Sequence, residues 1–435
     1  MDRIKDKNTN IYRALVRILY FSSSVNFLYD IGIYLLRATL GLIALFNEKI
    51  NLFLSGRRRT FEQLETAIEK EDRILWFHCA SLGEFEQGRP VIEALSKRNP
   101  KYKIVLTFFS PSGYEVQKNY NFADAVVYLP IDTKKNAKRF LQIVHPSLAV
   151  FVKYEFWPNL LKEMQVREVP TYLISGIFRE NQIFFKSYGG WMRKVLNGFS
   201  HFFVQNSQSL SLLATIGIQE ATLSGDTRFD RVYSLLNQDN TLSFLEEFTS
   251  GRTTVVAGST WPKDEELLTN FINGWILDDA VFIIAPHQMD SERFRKLKEK
   301  LNKKSALYSE GFPNRDVQVF IVDTIGLLTK IYSYADVSYV GGGFDKEGVH
   351  NVLEPAVFGA PVLIGPIYEK YQEAVDLVER QGCLVAQDAP SFNEHLSALL
   401  ADSQFREETG DICRKFIKVN TGATQIIVDY LDQRI

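Results

Sequence analysis

The sequence predicts an α/β protein in which two domains each hold a parallel sheet covered by helices. From Arg73 onward, apolar runs of strand length alternate with segments of helical period, which is the pattern of such a sheet. The alternation weakens after Asp230 and resumes at Thr254, and 435 residues suit two domains of ordinary size. Hydrophobic content of 46% and charged content of 23% lie in the globular range, which favours neither a disordered chain nor a polytopic membrane protein.

Each series of apolar runs predicts a set of strands. The first set is Ile74–His78, Ile104–Phe108, Ala125–Leu129, Leu148–Val152, Thr171–Ile174 and Phe202–Gln205. The second set is Val255–Gly258, Phe282–Ala285, Val319–Val322, Val337–Val340 and Pro361–Ile364, with Leu384–Val385 as a short sixth strand. Segments of helical period lie between the strands, for example Glu84–Ser96 and Thr133–Val144. Two such domains predict a cleft between two sets of strand ends.

Polar residues between the two series indicate a linker. We therefore predict an N-terminal domain at 61–235, a linker at 236–252 and a C-terminal domain at 253–435, preceded by a helical segment at 1–60. No internal repeat or low-complexity tract interrupts this organisation.

The segment Ile11–Phe46 is rich in Leu, Ile, Phe and Tyr. Arg17, Asp30 and Arg37 interrupt it, so its uncharged stretches reach only about 10 to 12 residues, short of the roughly 18 to 20 that a membrane span needs. A cleaved signal peptide fits poorly, because the segment is too long and lacks a clear cleavage pattern. We expect one or two amphipathic helices that lie on a membrane surface, with Arg57–Arg59 facing anionic headgroups. Two helices packed on the first domain are the alternative.

Charge and cysteine content exclude other classes. A net charge of -2 gives no general attraction to nucleic acid. Cys79, Cys383 and Cys413 lie far apart and form no CxxC pair, which indicates a reducing compartment without a structural zinc site. The chain has no Asp-x-Asp triplet, and none of its six histidines is spaced to share a metal ion with another. We expect neither a metal ion nor another cofactor.

A carboxylate follows the first predicted strand. Ser81, Gly83 and Glu84 lie in the turn that joins Ile74–His78 to a helix, where Gly83 permits a tight turn. Glu84 is then placed to take a proton from an incoming hydroxyl as a general base. The alternative is structural, with Ser81 as the N-cap of the helix and Glu84 as its capping-box partner.

A second carboxylate, Glu155, follows the strand Leu148–Val152. Two carboxylates at the ends of neighbouring strands allow one to act as a base while the other orients the acceptor or stabilises positive charge. An ion pair with Lys153 is the alternative. Arg179 and Arg228 add cations near strand ends, which suit an acidic substrate or a leaving phosphate. Each is otherwise a structural or solvated arginine.

The strongest nucleotide signal lies in the second domain. Gly341–Gly343 closes a strand, and Asn351–Glu354 opens a helix before the strand Pro361–Ile364. In an open α/β sheet, ligands lie beyond the carboxyl ends of strands, where helix N-termini bind anions. Glu354 could accept hydrogen bonds from a ribose diol. An ordinary strand-to-helix turn with a favourable acidic residue is the alternative.

Three further loops are expected to line the same pocket. Ser259 and Thr260 close the first strand of the second domain, where hydroxyls and backbone N–H groups could hold phosphate. Pro286–His287 and Asp323–Leu328 close two other strands. A structural histidine and a plain N-cap at Asp323 are the alternatives.

Together these motifs resemble the 3-deoxy-D-manno-octulosonic acid (Kdo) transferases of lipopolysaccharide biosynthesis. The resemblance runs from near the N-terminus to about Gln387. The ordered motifs are Ser81–Glu84, Ser110–Gly113, Tyr128–Asp132, Glu155–Asn159, Gly225–Asp230, Gly258–Thr260, Asp323–Gly326 and Gly341–Pro355.

The resemblance implies a GT-B glycosyltransferase with two Rossmann-like domains. It implies an inverting, metal-independent transfer of Kdo from CMP-Kdo to a lipid A precursor, at the cytoplasmic face of the bacterial inner membrane. Glu84 matches the family's catalytic base, and Glu155 and Arg228 match positions that support the transition state. The substrate-binding residues implied are Ser81, Gly83, Ser259, Thr260, Pro286, His287, Ile325, Gly326, Leu327, Gly342, Gly343, Asn351, Val352, Leu353 and Glu354.

The sequence departs from the family pattern at four positions. Lys153 replaces the first of two glutamates before Trp-Pro-Asn, so either position 153 or Glu155 holds the family's second acidic role. Arg228, His287 and Leu327 replace a lysine, an arginine and a glutamate. A hydrolysing sugar-nucleotide epimerase on the same architecture is the alternative enzyme, and a membrane-attached scaffold that binds nucleotide sugars without turnover is a non-enzymatic one. The number of Kdo units, the acylation of the acceptor and the oligomeric state are not encoded in these motifs.

Overall fold

The computed structural model describes residues 27–277 and 279–435. The chain divides into two compact units, one formed by residues up to Arg231 together with Gly422–Ile435, the other by Val232–Thr421. The described residues of each unit form a seven-stranded sheet in which all strands are parallel. The predicted α/β class with two Rossmann-like domains is confirmed.

The first sheet has the strand order β3-β2-β1-β4-β5-β6-β7. Its strands are β1 (Arg73–Cys79), β2 (Tyr102–Phe108), β3 (Ala125–Tyr128), β4 (Leu148–Val152), β5 (Thr171–Gly176), β6 (His201–Val204) and β7 (Ala221–Leu223). The order reverses between β1 and β4, which pair directly, and such a switch point is where open α/β sheets bind ligands. The six predicted strands are confirmed. The edge strand β7 was not predicted, because its residues Ala221–Leu223 are only partly buried and form no continuous apolar run.

The second sheet has the strand order β10-β11-β9-β8-β12-β13-β14. Its strands are β8 (Thr253–Thr260), β9 (Ala280–Pro286), β10 (Ser305–Leu307), β11 (Val319–Ile321), β12 (Val337–Val340), β13 (Val362–Ile364) and β14 (Cys383–Val385). The switch point lies between β8 and β12. The predicted strands are confirmed, including the short one at Leu384–Val385, whereas the edge strand β10 was not predicted.

Helices cover the faces of both sheets. Those of the first half of the chain are α1 (residues 27–43 in the described part), α2 (Glu48–Gly56), α3 (Thr60–Ala67), α4 (Leu82–Arg98), α5 (Pro111–Gln117), α6 (Lys134–Val144), α7 (Pro158–Val166), α8 (Gly190–Leu196), α9 (Ser207–Thr215) and α10 (Thr227–Tyr233). Those that follow are α11 (Ser243–Thr249), α12 (Pro262–Gly274), α13 (Ser291–Lys300), α14 (Leu328–Ile331), α15 (Leu353–Phe358), α16 (Gln372–Glu379), α17 (Ala389–Ala401), α18 (Ser403–Val419) and α19 (Ala423–Asp432). Central strands such as β4 are buried along their whole length, because helices lie on both faces.

The unit boundaries differ from the predicted domains at two places. The C-terminal helix α19 returns to the first unit, where Ile427 and Leu431 join the core on the α4 side of the sheet. Asp230 holds its start by accepting hydrogen bonds from the backbone N–H groups of Gly422 and Thr424. The predicted linker at 236–252 packs instead on the second unit, because Leu242, Leu245 and Phe248 are buried in its core.

The N-terminal helix α1 is anchored to the first unit by one face. The Tyr29 hydroxyl donates to Asp132 at 2.8 Å, and Asp30 pairs with Lys134 at 2.6 Å. The other face exposes large apolar side chains, namely those of Phe27, Leu28, Ile31, Tyr34, Leu35, Leu42 and Ile43. Contact with a membrane stays a prediction, and residues 11–26 of the predicted segment lie outside the described residues. Among the described helices, none combines the length and apolarity needed to cross a bilayer.

The prediction that Arg57 faces lipid headgroups is wrong. Arg57 is 8% exposed, and its guanidinium donates hydrogen bonds to the carbonyl oxygens of Phe53 and Phe109. It also lies 3.6 Å from the centre of the Phe53 ring, a cation–π contact. Arg58 and Arg59 remain exposed. An arginine that fastens a helix to the core has the same sequence signature as one that faces water.

Candidate active site

Glu84 lies on the first turn of α4, directly after the carboxyl end of β1. Its Oε2 atom accepts a hydrogen bond from the backbone N–H of Ala80 at 2.5 Å. The Ser81 side chain makes no capping hydrogen bond, so the reciprocal capping box of the structural alternative is not formed. The carboxyl group is half-buried and is held by the turn that precedes its helix.

The pKa of Glu84 is raised to about 7. Burial is the main cause, and repulsion from the Glu155 carboxylate adds to it, while the Ala80 N–H and the Lys153 ammonium act in the opposite direction. A carboxyl group that titrates near neutral pH accepts protons better than an ordinary glutamate and still ionises at that pH. The site therefore has the electrostatics of a general base.

Glu155 follows β4 and points into the unit, where it is 8% exposed. Its Oε2 atom lies 3.0 Å from His78 Nε2 and accepts a hydrogen bond from Trp157 Nε1 at 2.8 Å. His78 is fully buried on β1, and its Nδ1 atom lies 2.9 Å from the Thr107 hydroxyl on β2. Because a carboxylate can only accept, His78 Nε2 must carry a proton. Glu155 is thus a supporting carboxylate, enclosed by donors.

Lys153 and Arg179 surround the same strand ends. Lys153 has a φ of 71°, a left-handed conformation that is uncommon for a residue with a side chain and marks a sharp turn after β4. Its charge lowers the pKa of Glu84, so it acts on Glu84 rather than forming only an ion pair with Glu155. The Arg179 guanidinium donates to the Tyr154 hydroxyl at 3.1 Å.

Arg228 lies on α10 and is paired with Asp226. Its Nε and Nη2 atoms lie 2.9 and 2.7 Å from Asp226 Oδ2, and its backbone N–H donates to the other oxygen of that carboxylate. Thr227 ties the same turn to α4, because its hydroxyl donates to the carbonyl oxygen of Gln87 at 2.6 Å. The start of α10 is therefore fixed to the second turn of α4.

In the second unit, the three glycines after β12 are required by packing. A Cβ atom on Gly341 would lie 2.5 Å from the carbonyl oxygen of Ser259, and one on Gly343 would lie 2.6 Å from the backbone N of Gly365. Gly342 has a φ of 93° and donates its N–H to Asp264 at 2.9 Å. These glycines let the end of β12 pack closely against the loops after β8 and β13. Packing of the protein backbone is therefore their first role, ahead of the expected close approach to a ligand.

The ends of β8 and β9 form one connected surface. Thr260 is buried and its hydroxyl donates to Glu265, so it is not available to a phosphate, contrary to the prediction. Ser259 is half-buried with a φ of 54°, and Pro286 is buried as the last residue of β9. His287 is exposed and its N–H donates to the Thr260 carbonyl oxygen at 2.9 Å.

His287 belongs to a stack of aromatic rings that the sequence did not reveal. Its ring lies 4.3 Å from that of His350 and 5.1 Å from that of Trp261, with interplanar angles of 29° and 20°. Trp261 Nε1 donates to His350 Nε2 at 2.9 Å, and burial lowers the pKa of His350 to about 4. His350 is therefore neutral, with its remaining proton on Nδ1.

The start of α15 places two polar groups side by side. Asn351 Nδ2 donates to Glu354 Oε1 at 3.0 Å, and the Thr329 hydroxyl donates to the other oxygen of Glu354 at 3.1 Å. Val352 and Leu353 are buried, so they could meet a ligand only through backbone atoms. Nearby, Ile325 is 81% exposed, and Gly326 has a φ of 94° with open space around it.

The predicted residues therefore fall into two groups, one in each unit. In the first unit, Ser81, Gly83, Glu84 and Glu155 meet at the β1–β4 switch point, with Arg228 fixed to α4 through its own turn. In the second, the residues gather around the ends of β8, β9 and β12 and the start of α15. Sequence reasoning missed His78, Thr107, Trp261 and His350. The signal for His78 and His350 was a polar residue inside or beside an apolar run, and nothing local marked Thr107 or Trp261.

Comparison with known proteins agrees with this architecture. Residues 55–231 match the family model of the 3-deoxy-D-manno-octulosonic-acid transferases. The 3-deoxy-D-manno-octulosonic acid transferase of Haemophilus influenzae is 28% identical over 372 residues, which cover 82% of this chain and 86% of that protein.

Two solved structures share the fold alone. A UDP-GlcNAc 2-epimerase from Neisseria meningitidis has a TM-score of 0.58 at 14% identity, with 83% of this chain and 100% of that one covered. CalG4, the calicheamicin glycosyltransferase, has a TM-score of 0.52 at 12% identity, with 84% and 98% covered.

The family-model match over residues 55–231 and the Haemophilus influenzae relative indicate a glycosyltransferase, and the two parallel sheets share the two-domain α/β fold of these solved structures. Within that class, the chain carries a Kdo transferase domain over residues 55–231 and is related to Kdo transferases along most of its length. The resemblance drawn from the sequence motifs is confirmed.

Proposed function

We propose that this protein transfers Kdo from CMP-Kdo to a lipid A precursor, with inversion at the anomeric carbon. The observation that carries the proposal is Glu84, a carboxyl with a pKa of about 7 at the switch point of a unit that matches the Kdo transferase family. Glu84 takes the proton of the acceptor hydroxyl as that oxygen attacks the anomeric carbon. The bond from that carbon to the CMP phosphate breaks, and CMP leaves with the electron pair.

The supporting roles in the proposal follow from the contacts above. Burial is the main cause of the raised pKa of Glu84, and the charge of Glu155 adds to it. The second unit is proposed to bind CMP, with the Asn351–Glu354 pair toward the ribose and the backbone N–H groups at the start of α12 toward the phosphate. Arg228, oriented by Asp226, would face negative charge on the sugar or the leaving group. None of these steps requires a metal ion.

The lipid acceptor is supported by the N-terminal helices. The exposed apolar side chains of α1 and of residues 42–46 would lie against the cytoplasmic face of the inner membrane, where a lipid A precursor is embedded. Contiguous apolar surface of this kind is uncommon on a protein that meets only water.

The test is a transfer assay with full-length protein in detergent micelles. CMP-Kdo and a tetraacylated lipid A precursor are supplied, and products are weighed by mass spectrometry. A mass increase of one or more Kdo units supports the proposal and gives the number of units added. Consumption of nucleotide sugar without any change in the lipid would favour the alternative, a hydrolysing sugar-nucleotide epimerase on the same fold. Tight CMP-Kdo binding without turnover would favour a scaffold.

A further inference from the structure

An apolar pocket of about 260 Å³ lies between the N-terminal helices and the body of the first unit. Its wall is formed by Ile33, Leu36 and Leu40 on α1, Phe53 on α2, and Phe109 and Trp157 after β2 and β4. An apolar cavity of about 150 Å³ is enough to bind benzene, so this one has room for a longer hydrocarbon. None of the groups identified above as candidate sugar or nucleotide contacts belongs to it.

The polar groups beside this pocket either hydrogen-bond to other residues or lie at one side of the pocket. Asp132 accepts hydrogen bonds from the backbone N–H groups of Asn159 and Leu160 and from the Tyr29 hydroxyl. Arg37 is exposed and also lines a second pocket of about 340 Å³, which it shares with Arg58. Among the described residues, no carboxylate forms an ion pair with either arginine. The two pockets together offer an apolar chamber next to a cationic one.

A ligand that fits both pockets is an amphiphile with a hydrocarbon chain and an anionic head. Arginine binds phosphate through a planar fork of donors, and the two arginines stand on separate elements, α1 and the turn after α2. The exposed apolar side chains of Leu35, Leu42 and Phe46 continue from α1 to the outside, so a chain held in a bilayer could enter from that side.

The wall formed by Phe109 and Trp157 connects this pocket to the carboxylates of the candidate active site. The rings of Phe109 and Trp157 lie 4.7 Å apart, and Trp157 Nε1 donates to the Glu155 carboxylate. Glu155 in turn acts on Glu84. An acyl chain bound against Trp157 would therefore be held close to the proposed base, Glu84. This position suits an acceptor substrate, whose hydroxyl must reach the base, and not a bulk membrane lipid.

We propose that this pocket binds one acyl chain of the glycolipid acceptor, with a phosphate of the same molecule at Arg37 and Arg58. The inference rests on the proposed function, because it assumes that the acceptor is an acylated, phosphorylated sugar. It makes the helices α1 and α2 part of the acceptor site, in addition to any role on the membrane surface.

The first test compares two acceptors, the tetraacylated lipid A precursor and its fully deacylated disaccharide bisphosphate. Ile33→Trp fills the pocket, and Val166→Trp on α7 is the control, since Val166 is 71% exposed and lies outside the pocket. We expect Ile33→Trp to raise the KM for the acylated acceptor by about tenfold or more, because several methylene groups lose their burial. Its kcat/KM for the deacylated acceptor should equal that of wild type, and Val166→Trp should change neither value.

The second test needs no variant to fold. A tetraacylated precursor with a diazirine at one chain end is photolysed on wild-type protein in vesicles, and the labelled peptides are identified. Labels on peptides that contain Phe109 or Trp157 support the pocket. Labels confined to the outward face, or equal labelling from a diazirine phospholipid in the same vesicles, would overturn it.

The two hypotheses fail differently. Wild-type protein that transfers nothing to either acceptor counts against the proposed function. Wild-type protein that is active, with Ile33→Trp unchanged toward the acylated acceptor, counts against the acyl-chain pocket alone.

Discussion

The imidazole of His78 lies 3.0 Å from the carboxylate of Glu155, and both side chains are buried at the switch point of the first sheet. Trp157 donates to the same carboxylate oxygen. Two N–H donors therefore hold this carboxylate in place, and its charge adds to burial, the main cause, in raising the pKa of Glu84. His78 on β1 and Glu155 in the loop after β4, which are 77 positions apart in the chain, thus contribute to the electrostatics around the proposed base.

Glu84→Gln should abolish most of the transfer activity while leaving the donor site intact. The substitution keeps the shape of the side chain but removes the proton acceptor, so we expect the transfer rate to fall by about 10² to 10⁴. Single-turnover rates measure this loss, and calorimetric titration with CMP-Kdo should give an unchanged affinity. Glu86→Gln, on the same helix and paired with Arg231 at 3.2 Å, is the control. A Glu84→Gln variant as fast as wild type would remove Glu84 from its role.

The transfer rate should rise with pH through a midpoint near 7 and then level off. Glu84 must be ionised to accept a proton, and its pKa is raised to about 7 by burial and by Glu155. Glu155→Gln removes the nearby negative charge, so the midpoint should move to lower pH while burial keeps it above that of a free glutamate. The pH profile of kcat for both proteins checks this. A midpoint that stays in place would show that Glu155 does not act on Glu84.

Loss of the His78 donor should slow the reaction without weakening donor binding. In His78→Leu, the Glu155 carboxylate loses the His78 donor and keeps the hydrogen bond from Trp157. A buried carboxylate that lacks one donor costs about 1 to 3 kcal/mol of folding free energy. His78→Gln retains an N–H donor and should recover part of both losses. We expect kcat to fall in the order wild type, Gln, Leu, with the KM for CMP-Kdo nearly constant. Equal kcat values for the two variants would mean that the hydrogen bond to Glu155 has no role in positioning.

Gly341→Ala should disturb the second unit although it adds one methyl group. The new Cβ would lie 2.5 Å from the Ser259 carbonyl oxygen and 2.7 Å from the Asp264 carboxylate, so the loop after β8 must move. We expect a loss of about 1 to 3 kcal/mol in unfolding free energy and weaker CMP-Kdo binding. Gly274→Ala, at the end of α12 with nothing within 4 Å, should stay within about 0.5 kcal/mol of wild type. Urea unfolding and calorimetry distinguish the two.

Arg57→Met should destabilise the first unit, whereas Arg58→Met should not. The Arg57 guanidinium donates to two carbonyl oxygens and stacks on Phe53, and these contacts join α2 to the strand end at Phe109. Loss of hydrogen bonds from a charged donor costs about 1.5 to 3 kcal/mol. Urea unfolding followed by fluorescence measures the difference. If vesicle binding falls while stability is unchanged, Arg57 would act at the membrane after all.

The class of fold and the position of the proposed base were predictable from local sequence. Buried parallel strands are continuous apolar runs, and each run here ended at a loop with polar residues or glycine, as at Glu84 and Gly341. Strands β7 and β10 were not predicted, because these edge strands are only partly buried and form no continuous apolar run. The family resemblance came from the same loops, since their order along the chain is itself a pattern.

Which of these side chains contact one another is a property of the tertiary structure. It placed His78 against Glu155, committed the Thr260 hydroxyl to Glu265, buried Arg57 beneath α2 and returned α19 to the first unit through Asp230. Some of these contacts join residues whose pairing leaves no trace in the sequence. Others bury a polar group where the sequence pattern is the same as for a polar group that faces solvent. Periodicity and loop chemistry can be read from the sequence, because they depend on neighbours along the chain. Burial and pKa depend on neighbours in space, and those are set only when the sheet closes and the helices pack.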